Sequence, residues 1–84
     1  MLEALLDRVV QIEFYDHVSG SGTISLFTCR VWGKLVSVSE TAVVVQTWQT
    51  LDDSNDDNNE YVVLIRRAII SITPLSVVEK THVL

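Results

Sequence analysis

Two adjacent arginines, Arg66 and Arg67, stand between apolar runs in the stretch Ile65-Arg66-Arg67-Ala68-Ile69-Ile70-Ser71-Ile72-Thr73-Pro74. Guanidinium is planar and forked, which suits it to grip phosphate or carboxylate through paired hydrogen bonds. The flanking runs read as strands, whose side chains alternate between two faces. A tight turn between them would hold both guanidiniums at one point of the surface. In a chain with 6 Lys and Arg against 11 Asp and Glu, this is the one local basic point.

Other residues with chemical potential carry weaker patterns. Asp52, Asp53, Asp56, Asp57 and Glu60 crowd one short segment. A calcium-loop count from Asp53 puts Asp53, Asn55 and Asp57 at the first three ligand places. Asn58 then falls where the loop needs glycine, and Leu64 where it needs a bidentate glutamate, so a solvated loop is the expectation. His17 and His82 lie far apart, with no Cys, Asp or Glu at metal-ligand spacing. Cys29, the one cysteine, lies in a strand-like run and reads as a small buried hydrophobe. Ser19-Gly20-Ser21-Gly22 lacks the lysine and following helix of a phosphate loop. No serine sits in a nucleophile elbow. These patterns predict a protein that is not an enzyme and takes no metal or cofactor.

The 84 residues are enough for one small domain, with a core modest enough that association would add stability. Hydrophobic residues are 48% of the chain and mean hydropathy is +0.30, which excludes disorder. The net charge of −5 argues against a general polyanion-binding surface. The acidic segment accounts for that excess, because outside it the basic and acidic counts are equal. One cysteine allows no disulfide framework, no apolar run approaches the ~20 residues of a membrane span, and no signal peptide opens the chain. A reducing, cytoplasmic location is expected.

The positioning elements follow from periodicity. Leu2, Leu5, Leu6 and Val9 recur at helical spacing, predicting a short helix from Met1 to about Val9 that must dock to persist. From Val10 the period changes, with Val10, Ile12 and Phe14 alternating against Gln11, Glu13 and Tyr15. Asp16 to Gly22 reads as a turn or hairpin loop. A long strand follows from about Thr23 to Ser39, with Phe27, Cys29, Val31, Gly33 and Leu35 on one face. Its phase then slips to Val36 and Val38, and a glycine beside a slipped phase predicts a bulge or sharp bend. Ser39-Glu40-Thr41 is a turn, Ala42 to about Leu51 a strand, and Asp52 to Asn59 a polar loop. Tyr61 to Ile65 and Ala68 to Leu75 are the strands flanking the arginines, and Pro74 marks a strand end or an edge. The expected fold is mainly β: a short N-terminal helix, then five strongly bent antiparallel strands in a small, partly open barrel. Residues 1–75 would form the barrel and 76–84 a tail or short extra strand.

This arrangement resembles the Sm-like family, which includes Lsm proteins and bacterial Hfq. Gly33-Lys34-Leu35-Val36-Ser37-Val38-Ser39 keeps the glycine and hydrophobic residue of the family's first motif, with Val38 and Ser39 where an aromatic and an aspartate are common. Ala42-Val43-Val44-Val45 follows like the Val-Val-Leu-Leu strand of Hfq. Hfq-like sequences read Tyr-Lys-His-Ala-Ile-Ser-Thr-Val-Val-Pro in the second motif, and Ile65 to Pro74 matches that stretch without a gap. Val43 replaces the asparagine many Sm proteins carry, the loop before Tyr61 is longer and more acidic than in Hfq, and the Ser19 to Gly22 hairpin looks extended. The chain therefore reads as a divergent member.

The resemblance implies a ring in which the fourth strand of one subunit pairs with the fifth of the next. The residues favour this independently. Tyr61, Val63, Ile65, Ile69, Ile70 and Ile72 lie in strongly apolar strands that would recruit another chain if exposed at an edge. A head-to-tail contact that closes gives a homo-oligomer, of about five to seven subunits by the resemblance. Alternatively, the two strands pair with each other inside a monomer. In a ring, Arg66 and Arg67 would form a cationic collar for single-stranded RNA, with Ser39 and Thr41 offering hydroxyls nearby. The competing role for the arginines is an intersubunit salt bridge. Trp32 and Trp48 could stack bases, although such residues more often pack or make interfaces. Two other readings stand beside RNA binding: a structural or adaptor ring, favoured by the net charge, Val43 and Glu40, and a monomeric SH3-like barrel that binds peptide if Trp32, Trp48 and Tyr61 cluster.

Overall fold

The computed structural model describes residues 1–20, 23–49, 59–76, 81 and 83. A 3-10 turn, Leu2–Leu5, leads into β1 (Val9–Gly20), β2 (Thr23–Val38), β3 (Ala42–Trp48) and β4 (Glu60–Ile65). A second 3-10 turn, Arg66–Ala68, then leads into β5 (Ile69–Pro74). The strands form one sheet in the order β4-β3-β2-β1-β5. Every neighbouring pair is antiparallel. Five antiparallel strands in one small domain is the mainly β class that the alternation predicts.

One face of the sheet carries the core. Val10, Ile12, Leu35, Val43, Val45 and Leu64 are buried, and Leu2, Leu5, Phe14, Val31, Val38, Val62, Ile69 and Ile72 pack around them. These are the inward positions of a period-two pattern. Burying a Val, Leu or Ile side chain contributes roughly 1.5–3 kcal/mol, so the six buried hydrophobic residues among those described make a small core.

The N-terminal helix is shorter than its periodicity predicts. It is a single 3-10 turn, and Val9 already belongs to β1. Only Leu2 and Leu5 reach the core, while Leu6 and Val9 are exposed. Competition from the sheet ends the turn: the Asp7 N–H donates to the Leu35 carbonyl (2.8 Å), and the Leu35 N–H donates to that of Arg8 (3.0 Å). Asp7 reaches this geometry at φ 68°, a left-handed conformation that breaks any helix.

The expected turn at Asp16 to Gly22 also contracts. The β1–β2 ladder runs from Val9↔Lys34 out to Gly20↔Thr23. Asp16 to Gly20 are therefore strand, and Ser21-Gly22 lie outside the described residues. β5 accompanies β1 only from Val10 to Phe14, and β3 joins β2 only from Lys34. The outer part of the hairpin is thus a two-stranded ribbon. Phe27 stands on that ribbon and is exposed, whereas Val31 and Leu35 of the same predicted face are packed.

The phase slip in β2 is a bulge. Leu35 faces Val45 and Ser37 faces Val44, which leaves Val36 as the extra residue. Further irregularities fall at Thr47 in β3 and Ile70 in β5. β3 ends at Trp48, short of the expected Leu51, and residues 50–58 of the acidic stretch lie outside the described residues. So do residues 77–80, 82 and 84 of the C-terminal tail. Ala68 belongs to the arginine turn and not to β5. β4 pairs with β3 and β5 with β1, and no ladder joins β4 to β5. Mutual pairing of these two strands within one chain is thereby excluded. Among the described residues, no helix is long and apolar enough to cross a membrane.

Gly33 is required by proximity. A Cβ there would lie 2.6 Å from Val45 Cγ1 and closer still to the Gln46 carbonyl oxygen. Since backbone cannot step aside like a flexible side chain, Gly33→Ala should force β2 and β3 apart and cost ~1–3 kcal/mol. Urea denaturation checks this against Ser37→Ala, an exposed control expected within ~0.5 kcal/mol of wild type. An unchanged midpoint for Gly33→Ala would contradict the close β2–β3 approach.

Candidate functional site

The β2–β3 turn and the arginine turn meet at one end of the sheet. Ser39 organises the first. Its hydroxyl oxygen accepts from the N–H groups of Ala42 (3.1 Å) and Thr41 (3.4 Å), and its O–H is within reach of the Ala42 carbonyl (3.1 Å). Its own N–H donates to the Ala42 carbonyl (2.9 Å). Serine suits the first position of a turn because its short side chain can satisfy backbone donors two and three residues on.

Arg66 stitches the second turn to the first. Its backbone N–H donates to the Thr41 carbonyl (2.9 Å). Its guanidinium Nη1 donates to the Ser39 carbonyl (2.8 Å). The sequence predicts that Ser39, Thr41, Arg66 and Arg67 share one neighbourhood, and these contacts join the two turns that carry them. The roles differ, however. Ser39 spends its hydroxyl on the turn, and half-buried Arg66 spends part of its guanidinium holding that turn. Arg67 is exposed and has no hydrogen bond or ion pair among the described residues. Glu40, also exposed, is the opposing charge on the same turn.

Two grooves flank the arginines. The larger, about 720 Å³, runs between Phe14–Asp16 of β1 and Val62–Ile65 of β4, and Arg67 and Ala68 close its end. The smaller, about 400 Å³, follows β5 under Met1 and Leu2 and contains Arg66. Glu3 lies beside this second groove. Its hydrogen bond to the Met1 ammonium (2.7 Å) holds its carboxyl below the ordinary value, and Arg66 adds a smaller push the same way.

Four of the six predicted interface residues are exposed at the sheet edges: Tyr61 (49%), Val63 (65%) and Ile65 (61%) on β4, and Ile70 (46%) on β5. Ile69 and Ile72 pack against their own core, and they also line the β5 groove. Trp32 and Trp48 are exposed, and the Trp32 indole N–H donates to Gln11 (2.9 Å). Arg30 is engaged with Glu13 (3.6 Å), which also accepts from Ser71 (3.4 Å). Leu64, the glutamate position of the calcium-loop count, is buried. Among the described residues, no cluster of three His, Cys, Asp or Glu could hold a metal. Cys29 is half-buried.

Sequence reasoning missed both grooves and the Arg66–Ser39 clasp. The clasp had a usable signal in its serine turn and arginine pair. The grooves had none, because they depend on which strands remain unpaired.

Arg66→Ala should cost about 1 kcal/mol, since a partly exposed charge-assisted bond to a carbonyl is lost. Arg67→Ala should stay within ~0.5 kcal/mol of wild type. Thermal unfolding reads both, and amide hydrogen exchange at Thr41 and Ala42 should quicken only for Arg66→Ala. Equal effects from the two substitutions would refute the division of roles. No family model, curated protein or solved structure matches this chain.

Proposed function

We propose that this chain is an Sm-like subunit that closes into a homo-oligomeric ring through β4 and β5 and binds single-stranded RNA at its arginine turns. The observation that carries the reading is the pair of unpaired, apolar sheet edges, with the two turns clasped together at one end of the sheet. Edge strands in monomers are blunted by lysine, inward charge or mid-strand proline. β4 is charged only at Glu60, its first residue, and β5 has no charge and carries its proline at the last position. The small core is a second reason to associate. The bulges at Val36, Thr47 and Ile70 support a sheet that coils into a partly open barrel with its gap between β4 and β5.

Repeated around a ring, one exposed Arg67 per subunit makes a dense cationic collar. Arg67 contacts phosphate, while Arg66 presents the turn and lends its remaining N–H groups. The adaptor reading has specific support too. The Ser39 hydroxyl and one arm of the Arg66 guanidinium are used internally, and Glu40 repels phosphate. A ring that binds protein instead of RNA is therefore the second reading.

Native mass spectrometry with a labelled U-rich or A-rich oligonucleotide tests the pair. The expected result is one cyclic species that gains one RNA mass, with affinity falling steeply as salt rises. Arg67→Ala should keep the ring, weaken RNA at least about tenfold, or ~1.4 kcal/mol, and flatten the salt slope. A ring that stays RNA-free at low salt selects the adaptor reading. A monomer overturns the assembly.

A further inference from the structure

For most of its length β2 is paired along one side only. β1 accompanies it from Thr23 to Lys34, but β3 joins it only from Lys34 to Val38. The side of β2 that faces β3 therefore has no ladder from Thr23 to Gly33 among the described residues. We infer that this edge, from Phe27 to Gly33, docks an extended segment of a different protein, which adds to the sheet as a strand beside β2 and in line with β3. The inference does not rest on the ring, because it uses neither β4 nor β5.

Alternate residues along the edge direct their N–H and C=O groups to the open side. Edges of solitary sheets are blunted by lysine, proline or inward charge. Phe27 to Gly33 contains no Lys and no Pro, and its one charge, Arg30, is turned toward Glu13 on β1. The other edge of the same ribbon differs: β1 beyond Phe14 carries the carboxylate of Asp16. Where β2 and β3 part, Lys34, Gln46, Thr47, Trp48 and Gln49 enclose a cleft of about 230 Å³, which takes the end of the added strand that abuts β3.

The side chains specify the occupant. Residues of an added strand share a face with the β2 residues they oppose. On one face stand exposed Phe27, half-buried Cys29 and Val31, which packs on the core. Apolar side chains opposite these three continue the core over Phe27. On the other face stand Thr28, Arg30 and Trp32, all exposed, with the Trp32 ring fixed by its bond to Gln11. Arg30 meets Glu13 only at 3.6 Å, longer than a hydrogen bond, so that pair does not consume its N–H groups. An acid opposite Arg30 completes the match. A second copy cannot supply it in full register, because pairing Phe27–Gly33 with itself sets Arg30 against Arg30. The occupant is a foreign strand that alternates apolar residues with polar ones, the central one acidic.

Amide hydrogen exchange on isotope-labelled protein tests this with the peptide acetyl-Thr-Val-Glu-Val-Thr-Val-amide. At ten times its Kd, the peptide should slow exchange about tenfold at alternate residues between Phe27 and Gly33. N-methylating its three valines, or its other three residues, should abolish binding in one case and spare it in the other, since only one set of amides faces β2. Arg30→Glu should weaken the peptide about fivefold, and lysine in place of the peptide's glutamate should restore it. No protection, protection on β4 or β5 instead, or equal effects of the two methylations would overturn the inference. So would amides at Phe27–Gly33 that are already slow without peptide: dependence on protein concentration would assign the edge to a second copy, and independence to the chain itself. A monomer that shows the expected protection would sink the ring and spare this inference.

Discussion

The rest of this structure turns on an unfinished account of backbone hydrogen bonds. Three strands of the sheet have neighbours on both sides for at least part of their length, but β4 and β5 have one neighbour each. Each leaves a row of N–H and C=O groups that only water or another strand can satisfy. Water would suffice if the side chains along those rows were polar. They are instead Tyr61, Val63, Ile65 and Ile70. A solvated edge would therefore keep its hydrogen bonds and lose the hydrophobic contribution. A paired edge keeps both, and it does so beside a core of six buried side chains among the described residues. This imbalance is why assembly enters the functional reading ahead of any ligand.

The arginine pair is shaped by the same economy of space. The β2–β3 turn and the β4–β5 connection converge, and the Ser39 and Thr41 carbonyls of the first need donors. Arg66 supplies one from its backbone and one from its side chain. That use fixes the geometry from which Arg67 projects. Two adjacent residues of one type thus divide into one that holds the turn and one that stays exposed. A guanidinium can hold a carbonyl with one arm and keep other N–H groups for a ligand, which lysine cannot match in fixed geometry.

How much of this was legible in the sequence varied with range. The alternation of Val10, Ile12 and Phe14, and the slip from Leu35 to Val38, gave the strands and the β2 bulge, because each depends on neighbours in sequence. Residues 1–9 misled, since helical spacing at Leu2, Leu5, Leu6 and Val9 was outcompeted by two hydrogen bonds to Leu35, a residue far along the chain. The polar and glycine-rich stretch from Asp16 to Gly20 also misled, because pairing with β2 overrode local turn preference. At the site, the meeting of Ser39 and Thr41 with Arg66 was expected, but the consumption of the Ser39 hydroxyl was not. Nothing local could show the grooves, because they exist only where the strand order leaves edges open.

The acidic balance of the chain looks like an objection to RNA, and distance weakens it. β4 runs from Glu60 to Ile65, so the arginine turn sits about five residues, or ~17 Å, from Glu60. Asp52, Asp53, Asp56 and Asp57 lie outside the described residues. The Debye length at physiological ionic strength is about 8 Å, so the Glu60 charge, two such lengths away, is largely screened at the turn. The carboxylate that bears directly on phosphate is Glu40, on the turn itself. The charges around the arginine turn are then exposed Arg67, partly committed Arg66, Glu40 on the neighbouring turn and Asp16 in the groove that Arg67 closes. Two cations against two carboxylates is a local balance far less acidic than the sum over the whole chain, and it is the balance that a ligand at this end of the sheet would meet.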